Sequence, residues 1–139
     1  MKVGYKQLLD EARREIEGMS AHDAMRRHGG GDVVFVDLRD IRELERDGMI
    51  PDAFHAPRGM LEFWIDPESP YHKEIFASGK AFVFYCASGW RSALATQVAQ
   101  RMGLAPVSHI EGGFTAWREA GGPIALKEAK APASEPRKG

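Results

Sequence analysis

Two short stretches constrain this chain more than any others: Val33-Val34-Phe35-Val36 and Ala81-Phe82-Val83-Phe84-Tyr85. Each is apolar throughout, and most of its residues are β-branched or aromatic. A strand with one wet face alternates apolar and polar residues. A run without that alternation suits a parallel strand covered on both sides. Helical patterns lie between such runs, so the order along the chain predicts an α/β domain with a mostly parallel sheet.

The remaining elements follow from spacing and end signals. Tyr5, Leu8, Leu9, Ala12 and Ile16 recur at helical spacing and predict an amphipathic helix over residues 4–15. Residues 16–19 read as a short strand. Ser20 is placed to cap a helix that runs to Arg27 and ends at Gly29-Gly30-Gly31. Asp40 caps a helix over residues 41–47, which stops at Gly48. A turn at Ile50-Pro51-Asp52-Ala53 leads to a brief strand near Phe54-His55. Two short helices are expected within residues 58–78. A longer helix is expected from Ser92 to Gly103, a strand over 107–110, and a last short helix over 114–119. Leu61, Phe63 and Trp64 read as an apolar core cluster, with an acceptor groove as the alternative. Past Lys127 the chain offers only Ala, Pro, Lys, Glu, Ser, Arg and Gly. The expected organisation is a helical extension over residues 1–15, one domain over 16–126, and a disordered tail over 127–139.

Composition excludes several functions. The net charge of −1 on 139 residues gives no field that would gather nucleic acid or an anionic membrane. No apolar segment is long enough to cross a bilayer. The N-terminus lacks the basic, apolar and small-residue order of a secretory signal, so a cytoplasmic location is expected. The five histidines are scattered without metal-ligand spacing. The single cysteine, Cys86, allows no internal disulfide and leaves no second thiol to resolve an oxidised first one.

Cys86 is the centre of the chemistry. In open α/β sheets, ligands collect beyond the carboxyl ends of the strands. Asp37, Cys86 and His109 all lie at or near such ends. Only Cys86 is followed by a compact turn, Ala87-Ser88-Gly89-Trp90-Arg91, that runs into a helix at Ser92-Ala93. Small residues let backbone N–H groups converge, and the helix N-terminus adds more of them. Gly89 permits unusual backbone angles, and Arg91 brings a permanent charge. These features favour an anion, so a thiolate is expected at Cys86. A buried, inert cysteine is the plainer reading of a lone thiol. The loop that follows outweighs it.

Four segments in register resemble the rhodanese-type sulfurtransferases of the single-domain kind. The first is the strand, Cys86-Ala87-Ser88-Gly89-Trp90-Arg91 and helix arrangement. The second is Val36-Asp37-Leu38-Arg39-Asp40 with Glu43, similar to the family's Asp-x-Arg segment and following glutamate. The third is the turn Gly48-Met49-Ile50-Pro51-Asp52-Ala53. The fourth is Ile110-Glu111-Gly112-Gly113-Phe114-Thr115-Ala116-Trp117, followed by Gly121-Gly122-Pro123. The resemblance covers roughly residues 16–124. It implies a rhodanese-like fold with a central, mostly parallel five-stranded sheet and helices on both faces.

It also implies sulfane-sulfur transfer through a Cys86 persulfide. A small anionic donor, thiosulfate or a persulfide, would load the sulfur. Cyanide, a cellular thiol or a protein would accept it. No metal or other cofactor is needed. Ala87, Ser88, Gly89, Trp90 and Arg91 would cradle the sulfur, with Asp37, Arg39, Arg58 and Ser92 in supporting roles. Ala87 stands where thiosulfate-using members often carry arginine. Trp90 either walls the pocket or packs on the domain surface. His109 and His55 read as structural histidines.

Two rivals remain. Related cysteine-loop phosphatases place five residues between cysteine and arginine, where this chain has four, and need a general acid, for which Asp66 is a candidate. A persulfide carrier, sensor or interaction module would keep the same loop without turnover.

Overall fold

In the computed structural model, which describes residues 1–128, the two apolar runs are adjacent parallel strands. The first is β2 (Val33–Asp37) and the second β4 (Ala81–Tyr85), paired in register from Val33 with Ala81 to Asp37 with Tyr85. Three further strands complete an all-parallel sheet: β1 (Glu17–Met19), β3 (Phe54–His55) and β5 (Val107–Ile110). Their order across the sheet is β1-β5-β4-β2-β3.

The two strand faces diverge as a period of two requires. Val34, Val36, Phe82 and Phe84 point to one side. They meet Leu61 and Ile65 of α4 (Leu61–Ile65) and Ala95 and Ala99 of α5 (Trp90–Met102). Phe35, Val83 and Tyr85 point to the other side, toward Ala21 and Ala24 of α2 (Ala21–Arg27). Phe114 and Trp117 of α6 (Gly113–Glu119) close that layer. Each large apolar side chain so buried contributes about 1.5–3 kcal/mol. Both layers therefore depend on the same central strands.

The helix α1 (Tyr5–Glu15) lies outside this sandwich. Its Leu9 and Ala12 pack on Ala93 of α5. The expected caps form. The Ser20 hydroxyl accepts the Asp23 N–H at 3.1 Å. Asp40 and Glu43 make a reciprocal capping box at the start of α3 (Ile41–Asp47).

Several expectations need correction. The long helix begins at Trp90 rather than Ser92, because the Gly89 carbonyl already accepts the Ala93 N–H at 3.2 Å. Arg91 therefore belongs to the helix's first turn. Residues 58–78 hold a 3₁₀ turn (Arg58–Met60), then α4, then a second 3₁₀ turn (Glu74–Ala77). Leu61 is buried, but Phe63 is 54% exposed and is not core. Of the expected tail, residues 129–139 lie outside the described residues. Among the described residues, no helix is long and apolar enough to cross a membrane.

Candidate active site

From β4 the chain passes one way to β5, and from β2 the other way to β3. The crevice this leaves lies outside the carboxyl ends of β2 and β4. Cys86 stands at that edge of the sheet, directly after β4, and is 1% exposed.

The loop after Cys86 is held from behind. The Phe114 N–H donates to the Cys86 carbonyl at 2.8 Å, and the Thr115 N–H to the Ala87 carbonyl at 3.1 Å. With those carbonyls turned toward α6, loop amides are free to face the sulfur. The Gly89 N–H donates to Cys86 Sγ at 3.2 Å and the Ser92 N–H at 3.3 Å. Two glycines make this possible. Gly89 has φ +100°, a left-handed value that side chains resist. Gly113 lets α6 approach, since a Cβ there would stand 2.4 Å from the Cys86 carbonyl oxygen.

The hydroxyl of Ser92 lies 3.6 Å from Cys86 Sγ and 2.9 Å from Nδ1 of His109. Ser92 and His109 are buried. Burial and the Arg13 charge push the His109 imidazole down to about 4, so it is neutral near pH 7. The histidine expected to be structural thus belongs to a chain of contacts ending on the cysteine. Its place near the end of β5 was the one signal of this in the sequence.

Arg91 is not a free cation. Its Nη1 and Nη2 donate to the two carboxylate oxygens of Glu43 at 2.8 and 2.9 Å. The hydrogen bond from Arg91 holds Glu43 well below the usual carboxylate range, at about 2, and the Asp40 backbone N–H adds to it. The Arg91 pKa is raised, chiefly by Glu43 and to a smaller degree by the Cys86 sulfur. Glu43 joins the cap of α3 to the loop, a role spanning 48 residues that spacing does not reveal.

The other candidates take simpler positions. Asp37 and Arg39 are both buried and form a bidentate pair: Nε to Oδ1 at 3.0 Å, Nη2 to Oδ2 at 2.7 Å. Arg39 also reaches the Gly48 carbonyl at 2.7 Å and lies 4.3 Å from the Phe114 ring centre. Together they tie the end of β2 to the Gly48 carbonyl and to Phe114 of α6. Arg58 pairs with Glu62 at 2.8 Å. His55 bonds the Arg39 carbonyl at 2.7 Å. Ala87 is partly exposed and Ser88 exposed. Trp90 packs on Tyr5 of α1, ring centres 5.1 Å apart, and stays 51% exposed.

Asp66 shares a cleft with Met102, Gly103 and Leu104, at the far end of α5 from the loop. Twelve helical steps of 1.5 Å separate the ends of α5 by about 18 Å. Asp66 is thus too far from Cys86 to protonate a leaving group there. Among the described residues, no cluster of three or more His, Cys, Asp or Glu side chains could hold a metal.

The model of the rhodanese-like domain matches residues 20–120. The chain belongs to the rhodanese-like domain family. A solved structure from Rhodopseudomonas palustris is 61% identical, with a TM-score of 0.88, covering 90% of this chain and 96% of that one. It is described as a protein of unknown function and a "possible tyrosine phosphatase". A candidate sulfurtransferase of Bacillus subtilis, YtwF, is 31% identical over 86 residues, covering 62% of this chain and 74% of that protein. An uncharacterised Synechocystis protein is 35% identical over 102 residues. The match covers 73% of this chain and 51% of that protein, so the chain spans about half the length of this relative. The rhodanese-like fold is thereby established for the domain.

Proposed function

We propose that this rhodanese-like domain is a sulfurtransferase that carries sulfane sulfur on Cys86. The observation that carries the reading is the closed loop itself. Two backbone N–H groups already point at Cys86 Sγ, and the Cys86 and Ala87 carbonyls are tied back to α6. Such a cradle stabilises a thiolate and then a persulfide without a metal.

In the first half-reaction the Cys86 thiolate attacks the outer sulfur of the donor. The donor's S–S bond breaks, and its electron pair leaves with sulfite or a thiolate. In the second half-reaction a thiol or cyanide attacks the outer sulfur of the Cys86 persulfide. The electron pair of that S–S bond returns to Cys86 Sγ. No net oxidation occurs over the cycle. Protein thiols are accepted as well as small ones, and the setting is cytoplasmic.

The phosphatase description of the Rhodopseudomonas relative makes that reading the one to test against. Two observations weigh against it here. Only four residues separate Cys86 from Arg91. The one acid singled out for the leaving group, Asp66, lies at the wrong end of α5. Intact mass after exposure to thiosulfate, and separately to a small persulfide, tests the proposal. One added sulfur on the wild type, absent in Cys86→Ser and removed by cyanide, is expected. No gain with either donor defeats the proposal, and Cys86-dependent hydrolysis of an aryl phosphate would put the phosphatase in its place.

A further inference from the structure

The buried imidazole of His109 has no part in the two half-reactions above, yet it is one hydroxyl away from the nucleophile. Ser92 Oγ is 2.9 Å from His109 Nδ1 and 3.6 Å from Cys86 Sγ. A serine hydroxyl has one proton and can donate in only one direction. If Nδ1 is bare, the hydroxyl donates to the ring and presents only lone pairs to sulfur. That arrangement suits a neutral thiol and repels a thiolate. If Nδ1 carries the proton, the ring donates to Oγ and the hydroxyl proton is released toward sulfur. The tautomer of His109 therefore decides which state of Cys86 the hydroxyl favours.

The surroundings select a tautomer. Burial and the Arg13 cation keep the ring neutral, with a single proton to place. At Nδ1 that proton has an acceptor in Ser92. Among the described residues, no group accepts a hydrogen bond from Nε2. With Cys86 as a thiolate, a proton on Nδ1 also leaves the Ser92 hydroxyl free to donate to sulfur, a charge-assisted bond that the other tautomer forfeits. The proton therefore belongs on Nδ1.

We propose that His109 is a positioning residue that, through Ser92, turns a hydroxyl donor onto the Cys86 sulfur. This rests on Cys86 being the nucleophile. The third donor joins the amides of Gly89 and Ser92. It stabilises the thiolate that attacks the donor. It acts again when the acceptor takes the outer sulfur and Cys86 Sγ receives the electron pair. No proton is consumed in either step.

Other charges near these groups are accounted for. Arg91 of α5 is paired with Glu43 of α3. The Asp37–Arg39 pair lies at the end of β2. The Arg13 cation of α1 adds to the burial that lowers the His109 pKa. The strand neighbours of His109 are Gly18 of β1 and Phe84 of β4, which carry no charge. α6 contributes the backbone N–H groups of Phe114 and Thr115.

The test reads the pH midpoint of Cys86 alkylation by iodoacetamide, which needs no sulfur transfer. Loss of one hydrogen bond to a charged group predicts a rise of about one pH unit in Ser92→Ala. His109→Leu is expected to rise equally, and the double variant no further. His109→Asn can donate from near the Nδ1 position and is expected to keep the wild-type midpoint. A wild-type midpoint in His109→Leu, additive shifts in the double variant, or a His109→Asn midpoint as high as that of His109→Leu overturns the inference. Should His109→Leu fail to fold, ring-nitrogen NMR of the intact protein decides. A proton on Nδ1 supports the inference, and a proton on Nε2 overturns it. Sulfur uptake with an alkylation midpoint indifferent to His109 defeats the inference alone. Failure of uptake defeats the proposed function instead.

Discussion

Replacing Asp37 with alanine strips the Arg39 guanidinium of its counter-ion in a site with no access to water. Both side chains are buried, at 0% and 1% exposure. Asp37 accepts from Arg39 Nε, Nη2 and the Arg39 backbone N–H, at 3.0, 2.7 and 3.0 Å. After the substitution, Arg39 keeps the Gly48 carbonyl and the faces of Phe114 and Tyr85, none of them a counter-ion. Breaking a buried pair by removing one partner costs about 3–5 kcal/mol, because the remaining charge is uncompensated. That is a large share of the roughly 5–15 kcal/mol that holds a domain together. With a urea slope of about 1.5 kcal/mol/M, a loss of about 4 kcal/mol lowers the midpoint by about 2.7 M. The control is Asp37→Leu with Arg39→Met, which removes both charges. Apolar replacement of a whole buried pair is often neutral or better, so this variant is expected to regain most of the loss. Equilibrium urea unfolding followed by circular dichroism measures both. A single-variant loss under about 1 kcal/mol, or a double variant less stable than the single, refutes the account of this pair.

Three further outcomes follow from the geometry. Gly113→Ala places a Cβ 2.4 Å from the Cys86 carbonyl oxygen; sulfur uptake is expected to fall at least tenfold, and uptake within twofold of wild type refutes the role given to α6. Because His109 is pushed down to about 4 from an ordinary 6.5, the unfolded chain binds the extra proton first. Stability present above pH 6.5 is therefore lost as pH falls toward 4, by roughly 3 kcal/mol, and urea titrations of His109→Asn are expected to lack that slope. Arg58 and Arg91 are both already paired with glutamates. Ala87→Arg is thus expected to lower the KM for thiosulfate by about tenfold, the worth of one added charge-assisted contact; an equal gain with an uncharged donor would contradict a charge effect.

Much of the site was legible because its signals are local. The four-residue spacing from Cys86 to Arg91 and the glycine at position 89 describe a turn that needs no knowledge of the rest of the chain. Glu43 stands three residues after Asp40, and that spacing is enough to read a capping box. Its second partner, Arg91, is not inferable that way. Likewise Phe63 lies between Leu61 and Trp64 in the sequence, but α4 has only five residues and can bury little more than one stripe, and Phe63 falls off the face that Leu61 and Ile65 share. Trp90 was legible as bulky and in the loop; that it rests on Tyr5 depends on where α1 docks.

What the amino-acid order determined by itself was the set of elements and the chemistry at their ends. Apolar runs, caps, glycines and a single cysteine act through contacts within a few residues. What only the tertiary structure decided was which ends meet. The order β1-β5-β4-β2-β3 brings His109 to Ser92, Glu43 to Arg91 and α6 to the back of the Cys86 loop, and it sends Asp66 away. Those neighbours depend on how whole layers pack against both faces of the sheet, and the local spacing of residues carries no record of that.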